Sequence, residues 1–256
     1  MSASLSSSVC GLLSILARGA ARGDVLCCRR NAGRVLGGQE LRIPVHDLTD
    51  KWVPGPLLAR LEENNSPWSV DLVLRGPDGR GLLLSAVGVW FTFDRICQNP
   101  RDPARPTGKR WIWPDRQIDA AIARVAAFLP PTMIVDGRSR LCALWSLAIP
   151  RHPRADDAAC RRLFVQLAER VGPSVPSKDV KLSELTIPIP GFPVVNATVD
   201  DAELATCREL DLARIYTLEM IETAIQAAPP ATTASMTTDT PAPHHRIQQE
   251  KSHAHR

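Results

Sequence analysis

The stretch IVDGRSRLCALWSLAIP at residues 134–150, taken with VWFTFD at residues 89–94, decides how this chain is read. The first is apolar on both sides of DGRSR, which has the glycine and small polar residues of a tight turn. Residues 133–135 and 141–148 are therefore predicted to be two strands flanking that turn. The second closes a long apolar run, residues 82–94, that becomes β-branched and aromatic toward its end and reads as a buried strand. Polar and acidic side chains gather at the ends of these strands, among them Thr92, Asp94, Arg138 and Arg140.

Outward from this centre the pattern alternates between helix and strand. Residues 117–129, QIDAAIARVAAFL, set Ile118, Ala121, Ile122, Val125 and Leu129 on one face and stop at Pro130 and Pro131, as an amphipathic helix does. Residues 156–171 form a second predicted helix, acidic in its first turn and closed by Gly172, and residues 201–228 a third. Residues 56–64, PLLARLEEN, carry Leu57, Leu58 and Leu61 on the face of a short helix. Residues 69–74, SVDLVL, alternate Val70, Leu72 and Leu74 with polar or exposed positions and run into GPDGRG, an Asp-Gly turn. Residues 185–196 are Pro-punctuated and extended.

The ends read differently. Residues 1–38 show no sustained period and are expected to be a disordered or targeting-like leader, Ser- and Arg-rich and poor in acids. From residue 229 the Ala, Pro, Thr and His composition buries too little surface to order itself. This gives a leader at 1–38, a single domain at 39–228 and a tail at 229–256. The expected fold class is α/β of the α+β type, a mixed or antiparallel sheet flanked by helices with disordered extensions.

Charge and cysteine usage narrow the function. The net charge of +4 comes from the two ends, and the middle of the chain is close to neutral. A sequence-independent nucleic-acid binder usually has a larger excess, so any such activity must rest on a local patch. One candidate lies in residues 95–116, where six basic residues, including Lys109 and Arg110, are interleaved with Trp111 and Trp113. There cations would track phosphates while an indole stacks on a base, or the segment is an ordinary polar loop with core tryptophans. The 7 cysteines are odd in number and form no CxxC, which indicates neither a disulfide framework nor a zinc knuckle and fits a reducing cytoplasm. No apolar run approaches the ~18 residues that would span a bilayer, so no membrane partner is expected.

The order strand, turn, basic loop, helix, Pro-Pro, strand, turn, strand, helix, then an Asp followed by Pro-Gly, resembles the catalytic core of the primase-polymerase branch of the archaeo-eukaryotic primase superfamily. The resemblance covers about residues 50–200. In that family, found in plasmid and phage replication proteins, a strand of the form Trp-Ala-Asp-hydrophobic-Asp ends in two metal-binding carboxylates. This chain has Trp90, Phe91, Thr92, Phe93 and Asp94, so the first carboxylate is replaced. The family continues with a Pro-Ser hairpin into Ser-Gly-x-Gly-Leu-His-x-Tyr-Trp, whose histidine contacts nucleotide phosphate. Here Leu141 and Trp145 match, and Cys142 stands in the histidine's place. A third acidic residue and an Arg-Leu-Pro-Gly-Thr segment correspond to Asp179 and to TIPIPGF at residues 186–192, which keeps the Pro-Gly and loses the arginine.

The resemblance implies nucleic acid, as single-stranded DNA or primer-template, and nucleotide as partners; a helicase, common beside such cores, would be a separate protein, since the chain has no P-loop. It also implies Mg²⁺ or Mn²⁺, weakly held, with Asp94 and Asp179 as the residual catalytic and metal candidates. Two-metal nucleotidyl transfer needs carboxylates from two or three places to hold the ion pair. Thr92 is a poor ligand for a hard cation, and the Cys142 thiol brings no positive charge to a triphosphate. Catalysis is therefore expected to be impaired. Arg138 and Arg140, where the family has small glycines, suit bidentate phosphate contact; a solvated hairpin turn is the plainer reading. The rival, an active enzyme with relocated ligands, needs another carboxylate near Asp94, from Asp71, Asp78 or Asp136. A third reading is a non-catalytic interaction protein or decaying gene copy that keeps only the fold.

Overall fold

The computed structural model describes residues 3–30, 40–46, 67–78, 81–94, 96–98, 110–112, 114–153, 157–172, 182, 185–193 and 203–228. Along the chain these form α1 (Ala3–Leu16), β1 (Val25–Arg30), β2 (Glu40–Pro44), β3 (Trp68–Asp71), β4 (Val73–Arg75), β5 (Leu82–Thr92), β6 (Ile96–Gln98) and β7 (Arg110–Ile112). Next come α2 (Asp115–Phe128), β8 (Met133–Asp136), β9 (Arg140–Arg151), α3 (Ala158–Val171), β10 (Thr186–Pro188), β11 (Thr206–Leu210), β12 (Ile215–Tyr216) and α4 (Leu218–Ala227). The main sheet runs β10-β3-β1-β4-β5-β9-β8-β11, with β2 on β1 and β12 on β9, while β6 and β7 pair separately. Every pairing is antiparallel except β12 with β9. This is the expected mixed α+β class.

The two stretches that open the sequence reading are the middle of the molecule. β5 and β9 pair from Ala86 opposite Ser146 to Thr92 opposite Arg140, and β8 pairs β9 across the predicted turn. Both strands are buried almost throughout, β5 from Leu82 to Phe91 and β9 from Leu141 to Leu147. Burial on both faces explains why they read as unbroken apolar runs rather than alternations. Helices seal them through specific contacts: Trp145 of β9 donates to the Leu129 carbonyl at the end of α2, 2.9 Å, and meets Phe128 edge-on. Phe164 of α3 lies against Trp90 of β5.

Capping chemistry sets two helix starts. The Asp157 carboxylate accepts the Ala159 and Cys160 amides at 2.9 and 3.0 Å, filling orphan donors at the start of α3. Thr217 does the same for Met220 in α4. Gly172 closes α3 where no side chain fits, because a Cβ there would stand 2.2 Å from Phe91 Cε1.

Three expectations are corrected. Residues 3–30, expected to be disordered or targeting-like, form α1 and β1 instead: Val9, Leu12, Leu13, Ile15 and Leu16 of α1 are buried in the core and β1 is an inner strand. Ser6, Ser7, Ser8 and Gly11 interrupt the apolar period, which hides the helix. The gap at Gly11 is where Leu210 of β11 packs, and a Cβ there would lie 2.6 Å from it. The third helix shrinks to α4, because residues 206–210 pair with β8 as β11. Alternation in SVDLVL also fails: β3 is buried at all four positions, Asp71 included. The predicted helix at 56–64 lies outside the described residues. No described helix is long and apolar enough to cross a membrane.

Candidate nucleotide and nucleic-acid site

The register of β5 on β9 fixes where the singled-out residues fall. Thr92 faces Arg140, and Trp90 faces Cys142 two pairs further in, on the same face. The Phe93 amide then donates to the Ser139 carbonyl at 3.0 Å, carrying the pairing to the hairpin turn and leaving Asp94 exposed just beyond it. Thr92, Asp94 and Arg140 thus share one exposed end of the β5–β9 pair. Cys142 belongs to the core, and burial pushes its thiol far above the ordinary range. Asp179 and Lys109 lie outside the described residues, and Arg110 is the first residue of β7.

The turn between β8 and β9 is closed by the Gly137 amide on the Arg140 carbonyl at 2.9 Å. Arg138 takes a positive φ of 60°, a conformation that usually calls for glycine or asparagine. It is held there by Asp136, whose Oδ1 accepts the Arg138 amide at 2.7 Å. The Arg138 guanidinium is engaged too, by Glu203 at 2.7 Å and Asp115 at 2.9 Å. Arg140 has no carboxylate within ion-pair distance among the described residues, and its Nη1 lies 3.4 Å from the Thr186 hydroxyl. The Thr186 carbonyl in turn accepts the Trp90 indole N–H at 2.9 Å, so β10 borders this end of the sheet. Pro188 of β10 also packs on Gly137, where a Cβ would stand 2.8 Å from its ring.

The carboxylates that a relocated metal site would need are committed to guanidinium groups. Asp136 is fully buried and takes two hydrogen bonds from Arg208, at 2.7 and 3.0 Å. Asp71 is also fully buried and takes a bidentate pair from Arg29, at 2.7 and 2.9 Å, plus Arg75 at 3.2 Å. Burial pushes the Asp71 carboxyl up while Arg29 and Arg75 pull it down. The ionised pair is the state that fits this geometry, because both oxygens accept from guanidinium. Asp78 stands before β5 begins, whereas Asp94 follows its end. An 11-residue strand separates them, roughly 35 Å at a strand's rise per residue. Among the described residues no three His, Cys, Asp or Glu side chains cluster to hold a metal ion.

Sequence reasoning placed Arg138 and Arg140 together, and the structure separates their surroundings. It missed Asp115, Glu203 and Arg208, whose partners are remote in the chain and leave no local signal. An acidic residue inside an apolar run, as at Asp71, was the available sign of a buried ion pair.

No family model matches this chain, and no curated protein does. Among solved structures, the AEP domain of the cyanophage S-2L primase-polymerase is similar at 14% identity and a TM-score of 0.49, over 87% of this chain and 97% of that one. The catalytic domain of primase RepB′ in complex with initiator DNA is similar at 12% identity and a TM-score of 0.47, over 86% of this chain and 94% of that one. At these values the likeness leaves function to be argued from this chain's own residues.

Proposed function

We propose that this chain is a primase-polymerase-like domain that has lost most of its catalytic ligands. It retains binding of nucleotide or single-stranded nucleic acid in the replication of a plasmid, phage or other mobile element. One observation carries the reading. At the end of the β5–β9 pair, where the resemblance expects metal-binding carboxylates and a phosphate-binding histidine, the chain presents Thr92 opposite Arg140 with Cys142 sealed beneath. A guanidinium without an ion-paired carboxylate among the described residues favours an anion at this end, and Asp94 alone supplies too little for a two-metal centre. The motif order in the sequence supports the same view, and the ion pairs on Asp71 and Asp136 weigh against relocated ligands. If a cation is held, Asp94 is its described ligand and Asp179 its candidate partner.

Template extension with Mg²⁺ or Mn²⁺ tests the loss of catalysis. The expected result is no incorporation above background, with single-stranded DNA still bound at low salt. Incorporation that Asp94→Ala abolishes would overturn the reading. Binding is expected to weaken with Arg140→Ala; affinity unchanged by that substitution would remove the anion-binding role.

A further inference from the structure

We propose that one face of β1, β2, β3 and β4 is a track for the phosphodiester backbone of single-stranded nucleic acid, running from Arg42 through Arg29 and Arg75 toward Arg140. It rests on the nucleic-acid reading above and adds a surface away from the β5–β9 end. Residues opposite each other in an antiparallel pair point to the same face. Cys27 faces Arg42, Arg29 faces Glu40 and Ser69, and Val25 faces Arg75, which puts Arg29, Arg42, Arg75 and Glu40 on one face. Asp71, two residues after Ser69, shares it and binds both Arg29 and Arg75. Asp71 also lies opposite Thr186 of β10, whose hydroxyl approaches Arg140. These polar groups therefore follow one another up to the candidate site, with Asp71 and Ser69 themselves buried.

Among the described residues, four guanidinium groups meet two carboxylates on this face, two positive charges in excess. The arrangement contributes little to stability. Arg42 and Glu40 form an exposed pair, with the arginine side chain 69% accessible, and such pairs are worth almost nothing. Burying Asp71 carries a desolvation cost that an apolar pair would avoid. What Asp71 does supply is orientation: a fully buried carboxylate fixes the Arg29 and Arg75 forks in place. The charges do not converge on one point, as a small anion would require. They lie on β2, β1, β4 and β9, with Asp71 of β3 and Thr186 of β10 between them, and so suit successive phosphates of an extended strand.

The experiment measures binding of the full chain to a fluorescent oligo-dT of about 16 nucleotides by anisotropy, over roughly 50 to 200 mM salt. Arg42→Ala is expected to weaken binding and to flatten the slope of log affinity against log salt by about 0.7, the value for one lost phosphate contact on a single strand. Glu40→Gln, which frees Arg42, is expected to tighten binding. Arg162→Ala, at an exposed position of α3, should change neither quantity. Circular dichroism confirms that each variant is folded. Binding that depends on Arg140 but is indifferent to Arg42 and Glu40 overturns the track and leaves the proposed function standing. No binding by the unaltered chain at low salt overturns both. Preference for a duplex, or phosphatidylserine vesicles bound with the same dependence on Arg42, also overturns the track.

Discussion

Asp71 and Asp157 show how differently two acids act in one fold. Asp71 is desolvated and answered by two arginines, so Asp71→Asn leaves Arg29 and Arg75 without their counter-charge. With Arg29 still a third exposed, the expected loss is about 2 kcal/mol, below that of a fully buried pair, and urea unfolding measures it. Should Asp71 instead be a metal ligand, Mg²⁺ would raise the unfolding temperature of the unaltered chain and not that of Asp71→Asn. Asp157 sits near the surface, and hydrogen bonds donated by the backbone amides of Cys160, then Ala159, hold its carboxyl below the ordinary carboxylate range. A depressed pKa stabilises the folded state above the unfolded-state value, and that contribution fades as pH falls through the folded-state value. Asp157→Ala is therefore expected to cost about 1 kcal/mol at neutral pH, with the difference from the unaltered chain vanishing in acid. A difference that persists at low pH would mean that the cap acts through packing rather than charge.

At the scale of elements, the sequence was most legible where burial is two-sided or a helix face is regular. The runs that became β5 and β9 and the face of Ile118, Ala121 and Val125 in α2 were readable because their period is local. α1 was not, because its apolar stripe is broken by serines and by Gly11, a gap that is meaningful only once Leu210 fills it. β11 was read as helix because acidic and apolar residues there fit either period, and only pairing with β8 settles the choice. The candidate site followed the same rule: strand ends and turn residues were legible, whereas the carboxylates around Arg138 arrive from residues 115 and 203, far along the chain. Gly172 gives an element-scale prediction. With Phe91 filling its side-chain space, Gly172→Ala forces α3 away from β5 and is expected to destabilise by about 2 kcal/mol, seen as a lower denaturation midpoint. Phe91→Leu in the same background should recover part of the loss. No change in midpoint for Gly172→Ala would mean that the end of α3 is not seated on β5.

For the molecule as a whole, the question is whether α1 and β1 merely cover the sheet or share one cooperative core with β5 and β9. The core is continuous, joining Leu12 and Leu16 of α1, Cys28 of β1, Val89 of β5 and Cys142 of β9 in a single cluster. Cys28 and Cys142 are both fully buried, and burial drives both thiols far above their ordinary range. Neither can react with a thiol reagent until the surrounding structure opens, so their labelling rates report opening of two separate strands in one experiment. In a single cooperative unit both cysteines label through the same global opening. Leu12→Ala, which empties a buried site in α1, is expected to cost about 3 kcal/mol. That would raise both opening equilibria about 100-fold, since ~1.4 kcal/mol is a factor of ten. Mass-spectrometric mapping of labelled peptides over time separates the two sites. If Leu12→Ala accelerated Cys28 alone and left Cys142 protected, α1 and β1 would be a detachable layer. The face bearing Arg29 would then open independently of the β5–β9 end. Equal acceleration would tie the fit of one leucine in α1 to both ends of the polar surface.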